Sequence, residues 1–355
     1  MKVVIACGGT GGHLFPGIAV AEELQRRGHE AVLIISEKKV DAEASAKYEH
    51  FRFELMPAVA KPKTLSLKIL SFLLKLRKSI SESKELLQKE KADLVLGMGG
   101  FTSFAPCFSG QKLGLRTYVH DSNAHPGKTN IMISKYCTKV LLGFDAAASF
   151  FPKAETEVVG TPVRSEMKKL PTREAAAEKW GLQADRPTLL VFGGSQGAQG
   201  LNSIVLASAK KLSCQILHVT GQGDFERVSK EVEGVEGYHA IAFCDDMPAA
   251  YALADGVVCR SGASSMVELG YLGLPSLLVP YPYAADDHQT ANAEQFSKIE
   301  AALMAQESEL DEDSFVEKAN QLLPGNPVRE KMLTALKVFK GKDGVEGILE
   351  ILEKV

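Results

Sequence analysis

No C-x-x-C pair occurs in the 355 residues; the six cysteines, at 7, 107, 137, 214, 244 and 259, are widely scattered. That scatter indicates neither a structural zinc site nor a disulfide framework, and fits a reducing cytoplasm. Long apolar runs are missing as well. Nowhere do about 18 consecutive apolar residues occur, which excludes a spanning helix. The first run, Val3 to Cys7, breaks into glycines too early for a signal peptide. Charge of one sign is also lacking: 41 basic and 44 acidic residues leave a net −3, so composition gives no reason to expect nucleic acid.

What is present is 45% apolar content, enough at this length for a large core and two domains. Short apolar strands alternate with longer helical patterns: Val3 to Ala6, a helix to Arg27, Ala31 to Ile35, and later Leu94 to Gly97. The alternation predicts parallel βαβ units with helices on both sheet faces. Ligands of such sheets sit beyond the carboxyl ends of the strands. In Val158-Val-Gly-Thr-Pro-Val-Arg164, Gly160 and Pro162 mark a hinge between a domain at 1–162 and a second at 163–337. A charged terminal helix, about 338–355, is expected to cross back onto the first.

The first strand runs into Gly8-Gly9-Thr10-Gly11-Gly12-His13 and then at once into a helical pattern. The bared amides and the roughly half positive charge of a helix start favour a phosphate or other anion there, and His13 stands where it would sit. Taken alone, the glycines are more simply read as close strand–helix packing, with His13 as a turn cap. The design repeats, however. Asp93 to Pro106 carries Gly97, Gly99 and Gly100 in a second turn, and Tyr118 to Asn130 follows as a polar loop on the same edge, making His120, Asn123 and His125 candidates. In the second half, Gly193-Gly194-Ser195-Gln196-Gly197 matches the opening turn, and two such halves would set their turns across one cleft. Farther on, Ser261-Gly262 precede a helix with hydroxyls at Ser264 and Ser265. Glu268 lies one turn in, within reach of a sugar or ribose hydroxyl pair if a diphosphate sits at the helix end. Taken singly, Glu268 reads as a solvated helix carboxylate and Gln289 as a capping side chain.

Residues 61 to 80 hold six basic residues and no acidic one. At about 100° per residue, Leu65, Ile69, Phe72, Leu73, Leu76 and Ile80 form one apolar stripe, and Leu67, Leu70 and Leu74 a second. Arg77 and Lys78 flank the second. An apolar strip rimmed by cations suits an anionic membrane surface; a helix buried on both sides explains it equally well.

In this order and spacing the motifs resemble those of the GT-B glycosyltransferases, and among them the lipid II-forming enzymes of peptidoglycan synthesis. The resemblance spans nearly the whole chain. It rests on Gly8-Gly-Thr-Gly-Gly-His13 with Phe15-Pro16-Gly17, Gly160-Thr-Pro-Val-Arg164, Gly193-Gly-Ser-Gln-Gly-Ala198, and Cys259-Arg-Ser-Gly-Ala263 with Glu268 and Gly273-Leu-Pro275. It implies an α/β GT-B fold, with two Rossmann-like domains facing across a cleft. The activity it implies is transfer of N-acetylglucosamine from UDP-GlcNAc to undecaprenyl-pyrophosphoryl-MurNAc-pentapeptide (lipid I), by a peripheral protein on the cytoplasmic face of the plasma membrane. Arg164 and Ser195 would then hold the donor diphosphate, the backbone near Cys244 the uracil, and Glu268 the ribose. Ala263, Ser264, Ser265 and Gln289 would hold the GlcNAc, Asn123 with Thr10, Gly11 and Gly12 would close over the sugar, and His13 would be the general base. Gly99, Gly100, His125, Leu67, Leu70, Leu74, Arg77 and Lys78 fall to the acceptor and membrane side, and cell-wall synthesis proteins become candidate partners. The chain departs from the family in having Asp121-Ser122 where Glu-Gln is common, and Ser264 where a bulkier residue is common.

The residue types suit that chemistry. A β-glycoside made from an α-linked UDP-sugar requires inversion in one displacement, so one base suffices, and a positioned histidine supplies about 10²- to 10⁴-fold. Arg164, the Ser195 turn and the helix after Gly262 can stabilise the departing diphosphate, so no obligatory metal or cofactor is expected. Asp311-Glu-Asp313 reads as helix-start charge. A nicotinamide-dependent dehydrogenase, suggested by the first loop and Glu37, fails the G-x-G-x-x-G spacing at Leu14. A UDP-GlcNAc epimerase of the same architecture would keep the donor site but has no use for a lipid-facing basic helix, and another glycolipid-forming transferase of that architecture is a further alternative. Against a non-catalytic nucleotide-sugar binder or membrane scaffold stand the intact His13 and the paired loops.

Overall fold

Val3, Val4, Ile5 and Ala6 are wholly buried, as expected of a strand in a parallel sheet covered on both faces. The computed structural model describes residues 1–57, 68–194 and 197–354, so Leu65, Leu67 and Ser195 lie outside the described residues. The chain divides into two compact units, Met1–Arg164 with Asp343–Val355, and Ser165–Lys342.

The first unit runs β1 (Lys2–Ala6), α1 (Gly11–Arg26), β2 (Glu30–Ile35), α2 (Lys39–Lys47), β3 (Arg52–Leu55), α3 (Lys68–Glu90), β4 (Leu94–Gly97), α4 (Phe101–Lys112), β5 (Arg116–Asp121), α5 (Lys128–Ile133), β6 (Lys139–Leu142) and β7 (Thr156–Val158). Its seven strands are parallel in the order β3-β2-β1-β4-β5-β6-β7. The order reverses at β1, and the loops leaving β1, β4 and β5 lie at the carboxyl edge, where such sheets bind ligands.

The terminal helix, Gly344–Glu353, completes this unit. Val345, Ile348, Leu349, Ile351 and Leu352 share a core with Leu14, Ile18 and Leu24 of α1, each worth about 1.5–3 kcal/mol on burial. Asp343 Oδ1 accepts from Val345 N at 3.1 Å and from Val163 N at 2.9 Å, so one carboxylate caps the helix and stitches it to the end of the first long segment. A Cβ on Gly344 would lie 2.6 Å from the Gly160 carbonyl, a closeness only glycine permits. The residues just before it belong to the second unit: Phe339 stacks on Phe296 at 4.4 Å, and Gly341 N donates to Tyr271 O.

The second unit holds α6 (Arg173–Trp180), β8 (Thr188–Phe192), α7 (Gln199–Ser208), β9 (Gln215–Val219), α8 (Phe225–Glu231), β10 (Tyr238–Ile241), α9 (Met247–Leu253), β11 (Gly256–Cys259), α10 (Ala263–Leu272), β12 (Ser276–Leu278), α11 (His288–Ser297), β13 (Leu303–Met304), α12 (Glu312–Asn320) and α13 (Pro327–Leu336). The parallel order is β10-β9-β8-β11-β12-β13, reversing at β8. Asp311 caps α12 in a capping box with Ser314, which accounts for the acidic triplet as helix-start charge.

The stripes of α3 need one correction. Phe72, Leu76 and Ile80 turn inward, with Leu76 and Ile80 packed on the first unit's core, but Leu73 is 52% exposed and belongs with Leu70 and Leu74. The buried arc is centred on Leu76, and Leu73 falls just past its edge.

Candidate functional site

In the first unit the turn after β1 places His13 in the first turn of α1. Its Nδ1 lies 3.2 Å from Thr10 Oγ1, and no hydrogen-bond partner to Nε2 is found among the described residues. The half-buried ring lies over the turn after β4: a Cβ on Gly99 would stand 3.1 Å from Nε2, and one on Gly100 3.0 Å from Cε1. Both glycines have φ in the left-handed range, +105° and +72°. Burial and the Lys38 ammonium push the His13 pKa down from 6.5 to about 4, against the Asp41 carboxylate, which raises it. The imidazole is therefore neutral near pH 7. With Nδ1–H donated to Thr10, the lone pair would sit on Nε2, the arrangement a base requires.

Asn130 of α5 joins the neighbouring loops. Its Oδ1 accepts from Gly100 N at 3.2 Å, and its Nδ2 donates to Asp121 Oδ2 at 2.8 Å and to His120 O at 3.3 Å. Asp121 also accepts from Asn123 N at 2.9 Å and Gly127 N at 3.3 Å. Burial raises the Asp121 pKa while these donors pull it down. Asn123 is thus placed through Asp121. His125 stacks on Phe150 at 4.7 Å. His120, a candidate from its loop position, is instead wholly buried; its Nε2 sits 2.9 Å from Gly160 O, and desolvation lowers its pKa to about 4. It is a neutral internal brace because it belongs to β5 itself and not to the loop. Arg164 lies with its guanidinium 5.2 Å from the Phe15 ring centroid of α1.

In the second unit the turn after β8 presses Gly197 onto the end of β9: a Cβ there would meet Thr220 O at 2.4 Å. The α10 start at Ala263 has no side-chain cap and no acidic residue in its first turn, so its free amides favour an anion. The Ser264 hydroxyl is buried there without a hydrogen-bond partner among the described residues. Glu268 is 6% exposed and not solvated as its sequence position suggests; Tyr251 OH donates to its Oε2 at 3.0 Å. Gln289 Oε1 accepts from Tyr281 N at 2.9 Å and so braces the loop after β12. Cys244 is buried, its thiol pushed up to about 11 by desolvation, which leaves the backbone of its loop as the chemically useful part. Sequence reasoning missed Arg260. Its Nη1 donates to Val279 O and Pro280 O at 3.2 and 3.1 Å, its Nη2 pairs with Glu307, and its guanidinium lies over Tyr281. It stands in the quoted Cys259–Ala263 motif, and its positive charge at a strand end was the signal to give it a role.

On α3, Leu70 and Leu74 are 62% and 63% exposed, with Lys75, Arg77 and Lys78 exposed beside them. No helix among the described residues is long and apolar enough to cross a membrane.

Known proteins share this fold. Residues 3–142 match the glycosyltransferase family 28 N-terminal domain and 188–348 the C-terminal domain of that family. A Citrifermentans bemidjiense UDP-N-acetylglucosamine–N-acetylmuramyl-(pentapeptide) pyrophosphoryl-undecaprenol N-acetylglucosamine transferase is 36% identical over 338 residues, 91% of each chain. The Limosilactobacillus fermentum protein of that name is 32% identical, covering 100% of this chain and 98% of its own. The crystal structure of Acinetobacter baumannii MurG superposes with a TM-score of 0.78 at 25% identity, covering 100% and 99% of the two chains. A Neisseria meningitidis UDP-GlcNAc 2-epimerase matches at 0.71 with 15% identity over the whole of both chains, a likeness of fold alone. The chain belongs to glycosyltransferase family 28, among its UDP-N-acetylglucosamine–N-acetylmuramyl-(pentapeptide) pyrophosphoryl-undecaprenol N-acetylglucosamine transferases.

Proposed function

We propose that this chain moves N-acetylglucosamine from UDP-GlcNAc onto a MurNAc hydroxyl of undecaprenyl-pyrophosphoryl-MurNAc-pentapeptide, with inversion at the anomeric carbon. His13 takes the hydroxyl proton as the new C–O bond forms; the bond to the diphosphate breaks, its electron pair leaving on the UDP oxygen. Arg164, Ser195 and the amides at the head of α10 balance the charge of the departing UDP, so the reading assigns no obligatory metal. Glu268 receives the ribose hydroxyls, the backbone at Cys244 the uracil, and Ala263 to Ser265 with Gln289 the sugar. Thr10 to Gly12 and Asn123 serve the reacting end. The observation that carries this reading is His13: a neutral ring at a helix start, with Nδ1 on Thr10 and Nε2 uncommitted. An anionic acceptor beside the loop would raise its pKa toward the working range.

The chain works as a peripheral protein on the anionic cytoplasmic leaflet. Leu70, Leu73 and Leu74 enter the lipid boundary, and Lys75, Arg77 and Lys78 each add about 1 kcal/mol near the surface.

A transfer assay with radiolabelled UDP-GlcNAc and a short-chain lipid I analogue tests the reaction. Lipid II formation is expected, together with protection from thermal unfolding by UDP-GlcNAc. Protection by NADH alone, with no transfer, overturns the reading.

A further inference from the structure

The corner between β2 and α2 reaches back onto the opening glycine turn. Asp41, in the first turn of α2, is wholly buried. Its Oδ2 accepts from Gly9 N at 2.8 Å, Ser36 N at 2.7 Å and Ser36 Oγ at 2.5 Å. Its Oδ1 is buried with no hydrogen-bond partner among the described residues. Lys38 Nζ donates to Gly9 O at 2.8 Å. From the opposite side, Thr102 Oγ1 donates to Gly8 O at 2.8 Å. Side chains thus hold both the N–H and the C=O of Gly9, whose φ is +111°. The next residue is Thr10, whose carbonyl accepts the His13 and Leu14 amides and whose hydroxyl meets His13 Nδ1.

A run of glycines has no side chains with which to fix its own position. Burying an ionised carboxylate costs several kcal/mol, which three donors offset only in part while one oxygen goes unpaired. Packing alone would be served as well by an apolar residue.

Resting on the reading of His13 as the base, we propose that Asp41 and Lys38 are positioning residues, a clamp on Gly9 that fixes where His13 meets the acceptor hydroxyl. The clamp also sets opposing charges beside the ring: Asp41 raises the His13 pKa and Lys38 lowers it. The remaining titratable group coupled to the ring is His120, kept neutral by burial. The turn after β4 meets the ring through Gly99 and Gly100.

The full-length enzyme tests the clamp through Asp41→Ala, Asp41→Asn, Lys38→Met and His13→Ala. Asp41→Ala frees Gly9 and is expected to lower kcat about 10²-fold, with KM for UDP-GlcNAc within about twofold. Asp41→Asn can turn its amide oxygen toward the same donors and should recover about tenfold of that loss. It removes the negative charge, so the acid limb of the kcat profile moves to lower pH; Lys38→Met moves it higher. The His13 ring proton, followed by NMR and assigned with His13→Ala, should titrate in the same order. If Asp41→Ala does not fold, the order of the acid limbs and titrations in the other two variants decides. An Asp41→Ala kcat within about twofold of wild type, or acid limbs and titrations that coincide in Asp41→Asn and Lys38→Met, overturns the clamp. Full turnover by His13→Ala would instead remove His13 as base, and the NMR titration would still report whether the clamp acts on it.

Discussion

The turn after β1 and its twin after β8 each back onto the end of the next strand where only glycine fits. A Cβ on Gly8 would lie 2.4 Å from Ser36 N, and one on Gly197 2.4 Å from Thr220 O. They differ in what secures them. The first is gripped by the side chains of Asp41 on α2, Thr102 on α4 and Lys38 in the loop between β2 and α2. In the second, over the described residues, Gly197 N donates to Gly194 O at 2.9 Å within the turn, and Asn202 of α7, held by His218, donates to the Thr220 carbonyl on which Gly197 packs, at 2.9 Å. A turn that carries a titratable ring must hold that ring at one height. In the proposed function the second turn offers backbone amides to a diphosphate, and for that it needs only to keep its shape.

The sharpest separation is expected from His13→Ala: turnover should fall about 10²- to 10⁴-fold, while UDP-GlcNAc still protects against melting. Unchanged turnover would erase the distinction between the turns. Next, Gly197→Ala forces a side chain into a left-handed residue against Thr220 and should cost about 1–3 kcal/mol. It should also abolish protection by UDP-GlcNAc, whereas Gly8→Ala should lose transfer and keep that protection; calorimetry with and without UDP-GlcNAc reads both. Glu268→Gln is a milder probe of the second unit. Donor KM should rise about tenfold with kcat nearly kept, and discrimination against a 2′-deoxyribose donor should shrink. On the first unit, changing Leu70, Leu73 and Leu74 to Ser should weaken sedimentation with anionic vesicles about tenfold at an unaltered melting temperature; loss of the fold would mark these leucines as core.

The smallest contrast lies in acid stability, where the units behave alike. Burial lowers His120 to about 4 and His218 to about 3, both below the ordinary value of 6.5. The unfolded chain therefore binds more protons in that window, and stability should fall as pH drops from about 6.5 toward 4 and 3. A melting temperature flat across that range would show that neither histidine stays neutral in the fold.

Both sheets were legible because strand and helix periods are local: Leu94–Gly97 is the strand that its apolar run predicts. His13 was legible for the same reason, since turn, helix start and histidine are consecutive. Asp41 was not. It lies 32 residues from Gly9, and only the β1–β2 pairing brings the two together. Glu268 looked like a surface carboxylate because its partner Tyr251 stands on another helix, 17 residues earlier. Leu73 was misplaced because it stands at the margin of its stripe, about 60° around the helix from Leu76, and only the packing of α3 on the rest of the unit decides where the buried arc ends.

The terminal helix, α14 (Gly344–Glu353), gives the chain an order of completion. The second unit, Ser165–Lys342, is an insertion in the first, so a ribosome finishes it before supplying the helix that covers Leu14, Ile18 and Leu24. The unit begun first is closed last. During synthesis an apolar face stays open for the time needed to translate a whole domain, a standing invitation to chaperones and to premature self-association.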